Sequence, residues 1–392
     1  MTLYAVIDTN VLVSALLNVD SNPGKVLSSV FNGETIPLMN EEVMAEYRDV
    51  LTREKFRFPA EWEPQRMIQL TWPHAATDWA YCLDEITATF LDLAEAITRY
   101  ERLLVVTPDI AGTYQQLAQR LSVEALRQTT LFECPTNDTW ARDHGALTLL
   151  ANDGSQELLD FQFNGWGEKF PADLDNAINR RLADANLLGA PLSDHNDFVL
   201  EGGSVETDGC GTVFTTAQCL LAPHRNQPLT LEGIETQLKE RLHARRIVWL
   251  HHGHLVGDDT DGHIDTIVRC APNDTLLYIA CSDTADEQYT DFKALEAELQ
   301  TLRNDNGTPY RLLSLPMPNA IFEDGQRLPA TYANFLVVNG AVIVPTYGQP
   351  DNDAQAADTI RQAYPNRDIV CIDATTIVRQ HGSIHCLTMQ YH

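Results

Sequence analysis

Arg379-Gln-His-Gly-Ser-Ile-His-Cys-Leu-Thr-Met-Gln-Tyr-His392 is the stretch on which the reading of this chain turns. Cys386 lies there in a small polar turn, a setting for a nucleophile rather than a core thiol, and its partners must come from far upstream. Two segments supply them. Gly257-Asp-Asp-Thr-Asp-Gly-His-Ile-Asp265 is dense in carboxylates around one imidazole, and Asn137-Asp-Thr-Trp-Ala-Arg-Asp-His-Gly145 sets acids beside an aromatic. A thiol, a proton carrier and several anions are the groups needed to attack a cationic, planar carbon.

Composition limits what else is possible. The 392 residues allow one large domain and a small one, with an ample core. With 55 acidic against 27 basic side chains, the formal charge of −28 repels phosphate backbones and favours small cations. The same charge also serves solubility. No nucleic-acid partner is expected. The amino terminus, Met1-Thr-Leu-Tyr-Ala-Val-Ile-Asp-Thr-Asn10, lacks a basic region followed by an apolar core, and no apolar run approaches the roughly 18 residues of a membrane span. A soluble, cytoplasmic protein with no membrane partner is expected. Its 8 cysteines include no C-x-x-C pair and are expected to be reduced. The sequence is compatible with a homo-oligomer but does not fix one.

In chain order, Tyr4 to Leu17 reads as an apolar strand ending at Asp8 and running into a helix. A helical stretch at Val26–Phe31, a strand at Thr35–Met39 and a helix over Asn40–Arg53 follow. This α/β segment resembles the first half of a PIN domain, the nuclease fold whose clustered acids hold divalent metal, and Asp8 and Glu46 match its first two acids. The character changes at Phe58-Pro59 before the remaining acids arrive. Two carboxylates make a poor site for an oxygen-loving cation, so residues 1–58 read as an incomplete PIN-like module and 59–392 as a separate domain.

Beyond Pro59 the chain alternates. Strands are expected at Ile68–His74, Leu103–Thr107, Ala146–Leu150, Leu158–Phe163, Thr212–Thr216, Arg246–Leu250, Thr275–Ala280, Tyr310–Pro316, Asn334–Pro345 and Ile369–Asp373. Helices are expected over 84–101, 114–127, 173–185, 231–242, 286–302 and 354–363. Their order suggests a repeated β-β-α-β unit, although no repeated sequence accompanies it.

His263 and Asp265 are two apart, so on an extended segment they would share a face, and a carboxylate beside the imidazole raises its proton affinity. An EF-hand reading of this loop fails, because its first ligand position falls on Gly257 and its twelfth on Val268. Asp143 can accept paired N–H groups from a guanidinium fork, with Trp140 packing on a cationic face or an alkyl stem. A local Arg142–Asp143 ion pair is the plainer alternative. Glu201-Gly-Gly203 adds a third acid at a flexible turn.

These pieces occur together and in order. Pro59-Ala-Glu-Trp-Glu-Pro64, Trp72-Pro-His74, Asn137-Asp-Thr-Trp-Ala-Arg-Asp143, Phe163-Asn-Gly-Trp-Gly167, Glu201-Gly-Gly-Ser204, Thr260-Asp-Gly-His-Ile-Asp265 and Gly382-Ser-Ile-His-Cys386 resemble the agmatine deiminase and Porphyromonas-type peptidylarginine deiminase family over residues 59–392. The resemblance implies the pentein fold, a five-fold pseudosymmetric α/β propeller with its site in the central channel. It further implies Cys386 as nucleophile, His263 as general acid and base, and Asp143 and Asp265 as the grip on a small cationic guanidine. Trp140, Trp166, Glu201 and Asp259 are expected to bind substrate, and no cofactor or metal is required.

Hydrolysis of agmatine to N-carbamoylputrescine and ammonia, through a covalent thiouronium on Cys386, is the activity implied. Asp259 stands where agmatine deiminases often carry Glu, which bears on chain-length selectivity. Peptidylarginine or free arginine deimination at the same site is the alternative. A manganese ureohydrolase is a second, because Asp261-Gly-His-Ile-Asp265 also fits a D-x-H-x-D ligand run. A PIN-type RNase or RNA-binding module is a third.

Overall fold

The computed structural model describes residues 3–5, 7, 11, 21–38, 44 and 56–392. Two compact units emerge, Met1–Lys55 and Phe56–His392. Within the first, Leu3–Ala5 pairs in parallel with Thr35–Pro37, and the helix Asn22–Phe31 starts where the Ser21 side chain accepts the Gly24 N–H at 3.1 Å. Asp8, Glu46 and all of the expected helix over 40–53 except Met44 lie outside the described residues.

The second unit repeats one motif. Leu147–Leu150, Gln156–Gln162 and Leu192–Val199 form a sheet in which the first two strands are antiparallel and the last two parallel. The same pattern recurs in Val205–Thr207, Thr212–Thr216 and Arg246–Leu250; in Val268–Ala271, Thr275–Ala280 and Arg311–Pro316; and in Leu336–Val338, Ala341–Thr346 and Asp368–Asp373. Each parallel pair is joined through a helix, as a parallel connection requires: Ile178–Asp184, Leu231–Arg241, Tyr289–Thr301 and Pro350–Ala363.

Besides the small hairpin of Ile321–Glu323 and Gln326–Leu328, one further sheet joins the two ends of the unit. Met67–Thr71 runs parallel to Arg102–Thr107 across the helix Leu83–Thr98, and Thr388–Tyr391 pairs with it antiparallel, Tyr391 opposite Met67. Thr129–Glu133 extends this sheet by a fourth strand. The unit is thus five β-β-α-β blades, the first completed by the C-terminal strand, which is the pentein arrangement.

The middle strand Ala341–Thr346 is covered on both faces and reads as an apolar run rather than an alternation: Ala341, Val342, Ile343 and Val344 are all fully buried. The helix Leu83–Thr98 buries Ile86, Phe90, Leu93, Ala94 and Ile97, one stripe at helical spacing. Burial of each large side chain in that stripe contributes about 2 kcal/mol.

Several expectations need correction. The helix over 114–127 is two helices, Ile110–Arg120 and Val123–Arg127, because Leu121 takes an extended backbone and Ser122 caps the second. The single strand over 334–345 is a hairpin. The polar C-terminal turn continues into a strand. His263 and Asp265 do not share an extended segment: His263 caps the single 3-10 turn Ile264–Thr266.

Candidate active site

Each blade contributes to one cluster from the segment just before its first strand. Asp143 lies in the short helix Ala141–His144 ahead of Leu147, Gly203 in the turn Gly202–Ser204 ahead of Val205, and His263 and Asp265 ahead of Val268. Asn334 precedes Leu336, and Cys386 precedes Thr388. The same backbone event, a turn entering an inner strand, is used five times with different side chains.

Gly203 marks where three of these groups converge. A Cβ placed there would meet His263 Nδ1 at 2.6 Å, Asp143 Oδ1 at 2.9 Å and Asp265 Oδ2 at 3.1 Å. Its N–H donates to Asp143 Oδ1 at 3.1 Å, and the Trp166 indole N–H donates to Oδ2 at 2.9 Å. That indole is aimed by a left-handed run, Gly165, Trp166 and Gly167 having φ of 70°, 55° and 83°. His263 Nδ1 lies 3.6 Å from Asp143 Oδ1.

The Cys386 N–H donates to Asn334 Oδ1 at 3.2 Å, which fixes the nucleophile's backbone. The same Asp265 Oδ2 that lies near Gly203 is approached by His385 Nδ1 at 2.7 Å.

Burial dominates the electrostatics. It pushes the Asp143 carboxyl up to about 6, aided by Asp265 and Glu201 and opposed by His263 and the Trp166 bond. Burial, with Asp265 and Asp143 nearby, holds the Cys386 thiol well above its ordinary range. Burial acts against a charged His263, but Asp143 and Cys219 outweigh it, and its pKa lies well above the usual value. Asp265 also resists burial, and the His385 bond holds its carboxyl below the ordinary range. These directions favour the neutral thiol at Cys386 and the charged imidazole at His263.

A cavity of about 280 Å³ opens over Cys386 and Asp143, walled by Trp140, Trp166, Phe163 and Phe170. Trp140 stands on Trp79, ring centroids 5.7 Å apart, and is approached so closely by Gly382 that a Cβ there would meet the ring at 2.1 Å. Asp259 lines the cavity, its carboxyl raised to about 6 by burial and then by Asp258. Thus Cys386, Asp143, Trp140, Trp166 and Asp259 line this space, whereas His263 and Asp265 are fully buried beside Asp143 at Gly203 and are not among the lining residues.

Glu201 does not face the cavity. It is fully buried, and Arg225 Nε donates to it at 3.0 Å, the guanidinium reaching on to Asp261 at 2.7 Å. Arg142 also departs from the plainer reading: it donates to the His385 carbonyl at 3.4 Å instead of pairing with Asp143. Asp261, first acid of the D-x-H-x-D run, is taken by Arg225 and Lys169. Among the described residues, Glu201–Cys219–His263 and Glu61–Glu206–His385 bring metal-ligand atoms within 4.8 Å, but the acids of both are already held by guanidinium groups, Arg225 and Arg269.

The sequence reading passed over Asn334, Gly203, His385, Glu61 and Arg269. His385 and Glu61 lay inside motifs already singled out, but their neighbours in space come from other blades. Nothing along the chain announces that.

Comparison with known proteins bears on this geometry. A family model described as Porphyromonas-type peptidyl-arginine deiminase matches residues 57–391. An agmatine deiminase from Stutzerimonas stutzeri is 32% identical, covering 86% of this chain and 95% of its own length. A cysteine-to-serine variant of agmatine deiminase from C. jejuni, solved with substrate bound, is 35% identical with a TM-score of 0.79, covering 86% of this chain and 96% of that one. A Porphyromonas gingivalis protein named as a candidate arginine deiminase is 50% identical with a TM-score of 0.81, covering 86% and 98%. The chain belongs to the Porphyromonas-type peptidyl-arginine deiminase family.

Proposed function

We propose that this protein is an agmatine deiminase, a hydrolase of the guanidino C–N bond that yields N-carbamoylputrescine and ammonia and so serves polyamine metabolism. The observation that carries this substrate over its analogues is the charge of the cavity. Beyond Asp143 it is lined by Asp78, Asp138, Asp175 and Asp259, and no Lys or Arg is among its lining residues. A terminal ammonium suits that wall, whereas the carboxylate of free arginine would be repelled by its acids. Burial raises Asp138 and Asp175 to about 7, as befits acids lacking a cation.

The chemistry follows from the resting protonation. Asp143 and Asp265 align the guanidinium, and its charge offsets theirs, so the Cys386 thiol gives up its proton to solvent more readily with substrate present. The thiolate adds to the central carbon. His263 delivers a proton to one nitrogen, the C–N bond breaks and ammonia departs, leaving a thiouronium on Cys386. Neutral His263 then takes a proton from water as it attacks, the C–S bond breaks, and the ureido product leaves with the thiol restored. Glu201 acts from behind, through Arg225, on the loop that carries His263.

The partner is a small cationic guanidine in a cytoplasmic setting. No nucleic-acid or membrane partner is proposed, and among the described residues no helix is long and apolar enough to cross a membrane. Residues 1–58 are proposed as an accessory module outside this chemistry.

Ammonia release from agmatine, arginine and an arginyl peptide, with excess chelator, tests the reading in wild type and Cys386→Ala. Agmatine should be preferred, the chelator harmless and the variant slower by about 10³-fold or more. Retained activity in the variant, or urea formation abolished by chelator, would sink it.

A further inference from the structure

Directly behind the proposed site lies a buried chain of charged and polar groups that the chemistry above does not use. His385 is 2% exposed and touches an acid through each ring nitrogen: Nδ1 meets Asp265 Oδ2 at 2.7 Å, and Nε2 meets Glu61 Oε2 at 3.0 Å and an Arg269 NH2 nitrogen at 3.1 Å. Arg269 is itself 1% exposed, bound to Glu61, to Glu206 and to the Ala333 carbonyl, with Phe335 under its plane at 4.4 Å. Glu61 is pinned in turn by the Val337 N–H at 2.7 Å. The ring is therefore fixed from both ends. Nδ1 faces the Asp265 carboxylate and Nε2 the Glu61 carboxylate, so each ring nitrogen has an acceptor to which it can donate.

We infer that His385 is a positioning residue for the reaction: it anchors Asp265 through Oδ2, and the Glu61–Arg269 pair holds His385. Among the described residues Asp265 Oδ1 has no hydrogen-bond partner, so one oxygen is anchored while the other is left unbonded. The groups acting on this carboxylate are His385, His263, Asp143, Arg269, Arg142 and Cys386. Of the groups that hold it ionised, His385 acts most strongly and directly. Loss of the ring should let the Asp265 carboxyl rise, so that activity disappears at higher pH on acidification.

The inference rests on deimination at Cys386, and wild-type ammonia release tests that separately: an enzyme inert toward every guanidine refutes the functional reading before His385 is touched. Given an active wild type, His385→Ala should lower kcat/KM about a hundredfold and move the acid limb of its pH profile upward. Asn places its amide nitrogen near Nδ1, and Gln places its own near Nε2. His385→Asn should thus recover at least about tenfold over His385→Gln and restore the acid limb. Melting curves check that each variant is folded. Should the alanine variant not fold, the Asn and Gln pair still decides. Equal rates in those two, or an acid limb unmoved in His385→Ala, overturns the inference.

Discussion

Asp143 is the residue on which binding and protonation meet. Its two oxygens are occupied by the Gly203 N–H and the Trp166 indole, both donors, so the side chain is built to be an acceptor. Burial nevertheless lifts its pKa to about 6. As pH falls through that value the carboxyl gains a proton and loses its hold on a guanidinium, so kcat/KM should decline below about 6. His263, held well above its usual value, stays charged over the same range and does not contribute that limb. A profile measured with agmatine and found flat down to pH 4.5 would contradict this role. Asp143 was legible in the sequence because its motif is compact and carries its own aromatic. For Glu201, no local feature tells that Arg225, 24 residues on, occupies it.

Turns decide the site at the scale of elements. Gly203 closes the floor beneath His263, Asp143 and Asp265, where a methyl group would fall 2.6 Å from the imidazole. Gly203→Ala should therefore lower kcat at least about a hundredfold while the melting midpoint shifts by only about 5 °C, as assays on the purified variant beside its melting curve would show. A variant that keeps full turnover would mean that the cluster is looser than these contacts indicate. Most middle and outer strands were legible, since runs such as Thr275–Ala280 are apolar and long enough to read. The inner strands Val205–Thr207, Val268–Ala271 and Thr388–Tyr391 were not, being three or four residues long and buried throughout or nearly so. Their position is set by pairing with distant partners, and the feature that orders the whole site was thus invisible in the chain.

At the scale of the molecule, the repeat order could be inferred from alternating elements, but closure of the first blade could not, because Tyr391 and Met67 are neighbours only in space. The assembled unit confines many acids. Asp138, Asp175 and Glu101 are raised to about 7, and Asp143 and Asp259 to about 6, burial being the first cause in each. A carboxyl whose folded pKa exceeds its unfolded value binds more protons when folded, so stability declines as pH rises from about 4 to about 7 and levels off above. Cys386→Ala should accordingly melt at a higher temperature at pH 5.5 than at pH 8, and agmatine should raise its midpoint more at pH 8, where the acids are charged. Equal shifts at both values would contradict the assignment of the cavity acids. One further consequence comes from Arg269. The protein permanently hosts a guanidinium of its own, caged by Glu61, Glu206 and the Phe335 face, and that guest is never consumed. Recognition of this cation is thus inert by itself; turnover needs, in addition, a thiol and a proton carrier aimed at a guest that can leave, so host and catalyst are separable properties of one fold.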